Sequence, residues 1–355
     1  MRGKIIRFLE RIKKIHKDTN TNYLSILLDF WSLKQKLNIS FYEYYCFYLD
    51  ENQRLRETFL SKINKTKFLS IINPRNYYII ARNKYLSHLF FNSTTIQRSE
   101  LYLYYNPIVS PTGIICTNEE EVSLKIKNLG IKEFVIKTTE SSHGEGVIVI
   151  KNVREEGNKL ILSRIDGKEI ILTEILNREP LIFEKLIEQT EQFKSFNPTS
   201  INTVRFMTNL HPDGEVTIIG TFIKIGRLGA WVDNAGSGGN ICANVDVNTG
   251  EISNVIEFNG WRNIKKVTHH TDNKILLEGV KIENWELLCE QVKSFQKQMP
   301  FIKAIGWDVA ITNKGAVIIE MNDFWDETFQ ILGEGWLPQI KELYNQWNNE
   351  YKTSL

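Results

Sequence analysis

Asp308, Glu320 and Asn322 have the clearest capacity for chemistry in this sequence. They fall in residues 306–322, where two apolar, β-branched runs flank Asn313-Lys314-Gly315. That tripeptide reads as a three-residue hairpin loop with glycine in the last position. Closing it pairs Thr312 with Ala316 and sets Asp308 directly opposite Glu320, with Cβ atoms about 4.5–5.5 Å apart. Asn322 shares their face by the two-residue period, and Gly306 opposite it leaves space. Trp307, Val309, Ile311, Val317, Ile319 and Met321 fall on the other face, the expected core. Two opposed carboxylates destabilise a sheet unless something positive lies between them. Oxygen donors of this kind suit a hard divalent cation, Mg²⁺ before Ca²⁺ where phosphate is near. The competing reading is a solvated acidic face.

Other segments carry charge in apolar company. Residues 134–137 form a short strand ending in Lys137, followed by a loop with Ser141, Ser142, His143, Gly144 and Gly146. Such a loop can turn backbone N–H groups toward a polyphosphate, with Lys137 as a point charge at its entrance. It fits neither common phosphate-loop pattern, and an unliganded hairpin explains it as well. Phe183-Glu184-Lys185-Leu186-Ile187 reads as a strand able to bond an adenine edge, with Glu191 following as an acid for ribose hydroxyls. Arg205 and Lys224 lie inside apolar strands, where a lone cation needs an anionic partner or an exit to the edge. A glycine-rich loop spans 233–240.

The order of these parts matches ATP-grasp enzymes. Ile201-Asn202-Thr203-Val204-Arg205, Val232-Asp233-Asn234 with Gly238-Gly239, Gly306-Trp307-Asp308 and Glu320-Met321-Asn322 resemble signatures of the sugar-transfer-associated ATP-grasp family. The resemblance covers roughly residues 35–335. It implies that Lys84 and Lys137 meet ATP phosphates and that 141–146, with Ser141, Ser142, Gly144 and Gly146, forms the lid. It further implies that Glu184 and the backbone of Lys185 to Ile187 meet adenine, and Glu191 the ribose. Arg205 and Lys224 would neutralise the triphosphate, while Asp308, Glu320 and Asn322 would hold one or two Mg²⁺. Asn83 departs from the family, where many relatives have Asp. Arg227, Asp233, Asn234 and Arg262 are candidates for a substrate cradle, and His269-His270 for a base that deprotonates an amine.

The elements that must position these groups divide by pattern. Residues 1–90 read as helical, with the aromatic run Phe41 to Tyr48 as core. Strand patterns follow at 114–116, 134–137, 147–150, 159–165, 169–173, 183–187, 203–208 and 215–225, then a helix near 282–298 and a helical end from about 333. Helices and strands mix without βαβ regularity, so the class is α+β, and the resemblance implies an ATP-grasp fold behind a helical region. The expected divisions are 1–90 helical, 91–184 a small subdomain bearing the glycine loop, 185–340 a subdomain bearing the Mg²⁺ site, and 341–355 a tail.

Bulk composition excludes several classes. Lys and Arg (44) nearly balance Asp and Glu (42), so no global field points to nucleic acid. Four scattered cysteines make neither a zinc site nor a disulfide framework, which fits a reducing cytoplasm. Residues 1–17 hold seven cations against Glu10 alone, with Ile5, Phe8, Leu9, Ile12 and Ile15 at helical spacing. Such a helix either packs on its own domain or lies on the inner face of a membrane. The resemblance implies an ATP-dependent carboxylate–amine ligase acting through an acyl phosphate, in surface polysaccharide or capsule biosynthesis. It would join an amino acid to a uronic acid or amino sugar. A kinase and a non-catalytic nucleotide-binding scaffold are the alternatives.

Overall fold

The computed structural model describes residues 2–140, 146–176, 179–230, 239–260 and 262–353. Seven helices come first: α1 (Arg2–Thr19), α2 (Tyr23–Leu37), α3 (Phe41–Cys46), α4 (Leu55–Thr58), α5 (Lys62–Ile72), α6 (Tyr78–Arg82) and α7 (Lys84–Phe91). Their starts are encoded locally. Ser40 and Glu43 form a reciprocal capping box on α3, and Asn83 accepts from the Leu86 N–H to cap α7. Cap chemistry therefore explains Asn83, since Asn and Asp serve an N-cap alike. Tyr44 and Phe47 of the aromatic run are buried with Ile12, Ile15, Ile26 and Leu33, as expected, whereas Tyr42 is 45% exposed.

Two seven-stranded sheets follow. The first joins β1 (Leu101–Tyr105), β2 (Ile115–Cys116), β3 (Phe134–Thr138), β4 (Ile148–Glu156), β5 (Lys159–Arg164), β6 (Glu169–Ile171) and β7 (Leu181–Glu184) in the order β2-β1-β7-β3-β4-β5-β6. Only the β1–β2 pair is parallel. The helices α8 (Glu119–Leu129) and α9 (Leu172–Ile175) pack on its apolar side through Val122, Ile126 and Leu172. After α10 (Glu191–Phe196) comes the second sheet, antiparallel throughout: β8 (Thr203–Leu210), β9 (Val216–Ile225), β10 (Ile241–Val245), β11 (Ile252–Phe258), β12 (Ile264–Lys266), β13 (Ala304–Thr312) and β14 (Gly315–Asn322). Its order is β12-β11-β10-β9-β8-β13-β14. Two such sheets with mixed helices give the α+β class.

Both faces of the second sheet are covered, unequally. The helix α11 (Trp285–Lys297) lays Trp285, Leu288, Val292 and Phe295 on Phe206, Val309 and Trp307. The opposite face meets α5 and α12 (Leu337–Thr353) through Phe68, Leu69, Trp336 and Ile340 at one end only. The other end of that face is the wall of a cavity. Buried polar contacts fasten the helical region to the second sheet. The Asn73 amide donates to the carbonyls of Ala304 and Asp323, each at 2.8 Å, and Lys65 pairs with Glu327 among buried groups.

The β13–β14 hairpin corrects the expected loop while preserving its consequence. Thr312 pairs with Gly315, not Ala316, so the turn has two central residues, and a bulge between Asp308 and Val309 then shifts the register by one. The two offsets cancel, and Asp308 is opposite Glu320. Between turn and bulge the faces of β14 are exchanged. Ala316 and Ile318 join the core with Trp307, Val309 and Ile311, whereas Val317 is half-buried outside it and Ile319 lines the cavity. Met321, beyond the bulge, is core as expected. The space expected over Gly306 is filled, because a Cβ there would stand 3.0 Å from Trp325 Cβ and 3.3 Å from Arg205 Cδ.

Candidate active site

A cavity of about 1430 Å³ lies between the two sheets and the helical region. Its floor is a register row on the second sheet. Phe222, Arg205, Asp308 and Glu320 stand directly opposite one another on β9, β8, β13 and β14. Arg205 donates from Nε and Nη2 to the two Asp308 oxygens at 2.5 and 2.6 Å, and Lys224 Nζ reaches Oδ1 at 2.9 Å. Burial opposes ionisation of Asp308, yet Arg205 and Lys224 outweigh it and hold the carboxyl well below the usual range. These are the anionic partners that lone cations in apolar strands require. Asn322 follows on the same face; its Nδ2 donates to the Gly306 carbonyl at 3.2 Å, so Oδ1 is its coordinating end.

The facing wall is built around Glu184 of β7. Lys137 Nζ lies 2.5 Å from Oε2, His88 Nε2 2.5 Å from Oε1, and the Arg98 guanidinium 3.7 Å from Oε1. Burial raises the Glu184 pKa, but Lys137, His88 and Arg98 together drive it far below the carboxylate range. His88 is pushed below an ordinary histidine by burial, which exceeds the opposing pull of Glu184, so near neutral pH its ring donates to Glu184 uncharged. Lys84, at the start of α7, lowers its own pKa through burial and feels both Glu320 and Glu184, which places it between the clusters. Its backbone N–H bonds to Thr139 O at 2.9 Å.

Residues 64–345 match the family described as sugar-transfer associated ATP-grasp. The chain belongs to that family. No curated protein matches it in sequence. Among solved structures, it is similar to N5-carboxyaminoimidazole ribonucleotide synthetase from Thermotoga maritima (13% identity, 78% of this chain and 52% of that one, TM-score 0.41). D-alanine–D-alanine ligase from Helicobacter pylori is comparable (14%, 77% and 61%, TM-score 0.41). So is phosphoribosylamine–glycine ligase from Thermotoga maritima (13%, 77% and 56%, TM-score 0.43). The chain thus spans 52–61% of the length of these three structures.

Of the sequence-derived candidates in this ATP-grasp chain, Lys84, Lys137, Glu184, Lys185, Ile187, Arg205, Lys224, Asp308, Glu320 and Asn322 all line the cavity. Lys185 needs a qualification. Its N–H donates to Glu100 O at 2.9 Å and its carbonyl accepts from Ser99 Oγ at 2.5 Å, so its backbone is already engaged. Gly146 adopts φ 73°, and a Cβ there would come within 3.1 Å of the Thr138 side chain, so this end of the loop requires glycine. Ser141, Ser142, His143 and Gly144 lie outside the described residues, as do Asp233 and Asn234.

Four candidates stand off the cavity wall among the described residues. Glu191 is 86% exposed, pairs with Lys194 at 2.8 Å as the first residue of α10, and is not on the cavity wall, whereas Glu188 is. Arg227 is held by Asp272 at 2.5 Å, away from the cavity wall. Arg262 is buried, pairs with Asp50 and Glu51, and covers the Tyr48 ring at 4.5 Å; it joins the helical region to the second sheet and does not line the cavity. His270 accepts from the Asp272 N–H on Nδ1 at 3.2 Å, so Nε2 carries the proton it gives to Gly226 O at 3.0 Å. Both nitrogens are spent, and no basic lone pair faces a substrate. His269 stands on a β-bridge to Leu276.

Sequence reasoning missed His88, Arg98 and the apolar cavity residues Val135, Val149 and Ile165. Val135 had a usable signal, since it alternates with the buried Phe134 and Ile136. His88 and Arg98 had none, because their partner lies 96 and 86 positions away.

Proposed function

We propose that this protein is an ATP-dependent ligase that joins a carboxylate to an amine with the help of Mg²⁺, on substrates of surface polysaccharide synthesis. One observation carries the reading: the cavity has two charge clusters of opposite appetite. Lys137 and Arg98 exceed Glu184 in charge and Lys84 stands between the two clusters, so that wall suits an anion. Arg205 and Lys224 are balanced by Asp308 and Glu320, and Asn322 adds a neutral oxygen, so the other wall tolerates a cation beside the anion. An all-oxygen donor set of two carboxylates and an amide fits a hard cation such as Mg²⁺. Glu320 and Asn322 would be its first ligands, with Asp308 contributing lone pairs beyond those that accept from Arg205 and Lys224. A bound Mg²⁺ supplies charge neutralisation and a template for in-line transfer.

The chain's own groups account for the remaining work. Lys84 and Lys137 fix the phosphates nearest the nucleoside. Val135, Val149 and Ile165 give an apolar slot for a flat base. Arg205 and Lys224 stand in a dry, preorganised frame, where they stabilise charge on a transferring phosphoryl group without reorganising. The bond from the γ-phosphorus to the bridging oxygen breaks, a carboxylate oxygen takes the phosphoryl group and ADP leaves. An amine then attacks the acyl carbon, the bond from that carbon to the phosphate oxygen breaks, and inorganic phosphate leaves carrying the proton the amine loses as the amide forms. The sugar-transfer association of the family supports a glycan carboxylate or amine as one substrate.

The test is incubation with ATP, Mg²⁺ and pooled amino acids, uronic acids and amino sugars, following ADP, phosphate and new masses. Amine-dependent ADP release with equal free phosphate and an amide product is expected. ADP with a stable phosphorylated product would turn the reading to a kinase.

A further inference from the structure

The helices α1 and α2 present an apolar surface that the described residues do not cover. Each buries one line of side chains, Ile12 and Ile15 on α1 and Ile26, Leu33 and Leu37 on α2. Beside those lines Ile5, Ile6 and Leu9 stand 50–55% exposed, and Leu24, Leu28 and Trp31 57–66% exposed. At about 100° per residue, Ile5, Leu9 and His16 share one flank of α1, and Tyr23, Leu27 and Trp31 share one flank of α2. The His16 and Tyr23 rings touch, with centroids 4.5 Å apart. That contact turns the two flanks toward each other across the interhelical turn, so the exposed side chains form one surface. Scattered exposed apolar residues need no explanation, but a cluster on adjoining helices marks an interaction site.

Charge identifies the partner. Residues 1–37 hold nine Lys and Arg against three Asp and Glu, although the whole chain has a net charge of only +2. Two of those three acids are already used, Asp18 by Lys14 at 2.6 Å and Asp29 by Arg56 and Tyr44. Lys4, Arg7, Lys13 and Lys17 are exposed, and around the helix Lys13 and Lys17 adjoin Leu9 and Ile6. Lys34 Nζ sits 5.7 Å from the Trp31 ring centroid, an aromatic–cation pair suited to a polar–apolar boundary. A protein groove could match the apolar residues. The cationic rim selects a surface that is anionic outside and hydrocarbon just beneath.

We propose that the α1–α2 face docks this protein on an anionic lipid bilayer. Ile5, Leu9, Leu24, Leu28 and Trp31 enter the headgroup–acyl boundary while the lysines meet lipid phosphates. No helix among the described residues is long and apolar enough to cross a membrane, so the contact is peripheral.

The test is flotation of the full chain with vesicles of phosphatidylcholine alone and of equal parts phosphatidylcholine and phosphatidylglycerol. Binding to the anionic vesicles only, weakened by added salt, is expected. The double variant Leu9→Glu with Leu28→Glu changes two exposed positions, so its circular dichroism and melting should match the parent while binding falls at least about tenfold. Lys13→Glu with Lys17→Glu should also lose anionic selectivity. Absence of binding, or undiminished binding by the leucine variant, would overturn the proposal. So would a concentration-dependent dimer that the leucine variant turns into a monomer without any vesicle binding, which would assign the face to a second copy of the chain.

Discussion

Glu184 and Asp308 are both buried, both held ionised, and both surrounded by cations, yet the two clusters are built differently. Glu184 on the first sheet is met by Lys137 from a neighbouring strand and by His88 and Arg98 from the segment before the sheet. Asp308 is met by Arg205 in its own register row and by Lys224 one strand further on. In the first cluster Lys137 and Arg98 share one carboxylate, an excess of positive charge. The second has Glu320 directly opposite, so its cations are matched. One buried acid therefore organises cations for an anion, and the other anchors two cations beside donors for a metal. Similar local chemistry serves opposite ligands because of what stands one strand away.

The sharpest way to break this comparison is Asp308→Asn. It removes the carboxylate that Arg205 and Lys224 share in a buried site, and removing one partner of a buried pair costs about 3–5 kcal/mol. Urea unfolding should register that loss together with lost turnover; unchanged stability would mean the pairs contribute nothing. Glu320→Gln separates metal from fold. It should reduce Mg²⁺-dependent turnover by at least about a hundredfold while the denaturation midpoint is retained. Wild-type-like activity would remove Glu320 from the metal site.

Arg262→Met examines the corrected assignment. Its partner Asp50 would remain buried without its guanidinium, costing roughly 3 kcal/mol, whereas KM for the carboxylate substrate should not change. A raised KM with normal stability would restore Arg262 to the substrate site.

The acid response distinguishes the clusters further. His88 has a folded pKa below its unfolded one, so the unfolded chain binds the extra proton. Its contribution is present above about 6.5 and lost as pH falls from there toward the folded value. Glu184 and Asp308 also have depressed folded pKa values, so their contributions persist until pH falls below about 4 and through those values. A stability–pH curve should decline in two stages, and His88→Gln should remove the first. The smallest effect is expected between β7 and α10: Glu191→Gln should leave nucleotide affinity unchanged, whereas Glu188→Gln, on the cavity wall, should weaken it in an ATP titration.

Much of the site was legible because its logic is local or periodic. The two-residue period placed Asp308, Glu320 and Asn322 on one face, and the need of buried cations for anions predicted partners for Arg205 and Lys224. Their partner, Asp308, is 103 residues from Arg205, beyond any local pattern. The wrong assignments share one cause: a cation or acid near a motif in sequence was taken to serve it in space. Arg262 is committed to Asp50 more than 200 positions away.

The sequence alone determined which strands face the cavity with charge, that a glycine-containing turn closes the last hairpin, and that Glu320 and Asn322 share a face. These follow from side-chain alternation and turn chemistry, which act over a few residues. Tertiary structure decided the form of that hairpin. A Cβ on Gly315 would stand 2.5 Å from the Gln291 amide of α11, whose oxygen also accepts the Ala316 N–H, and the Ile318 N–H turns outward to Gln97 O. Those contacts come from chain 25 and 221 positions away. Only packing could show that the turn is one residue shorter, that a bulge compensates, and that Ile319 faces the cavity.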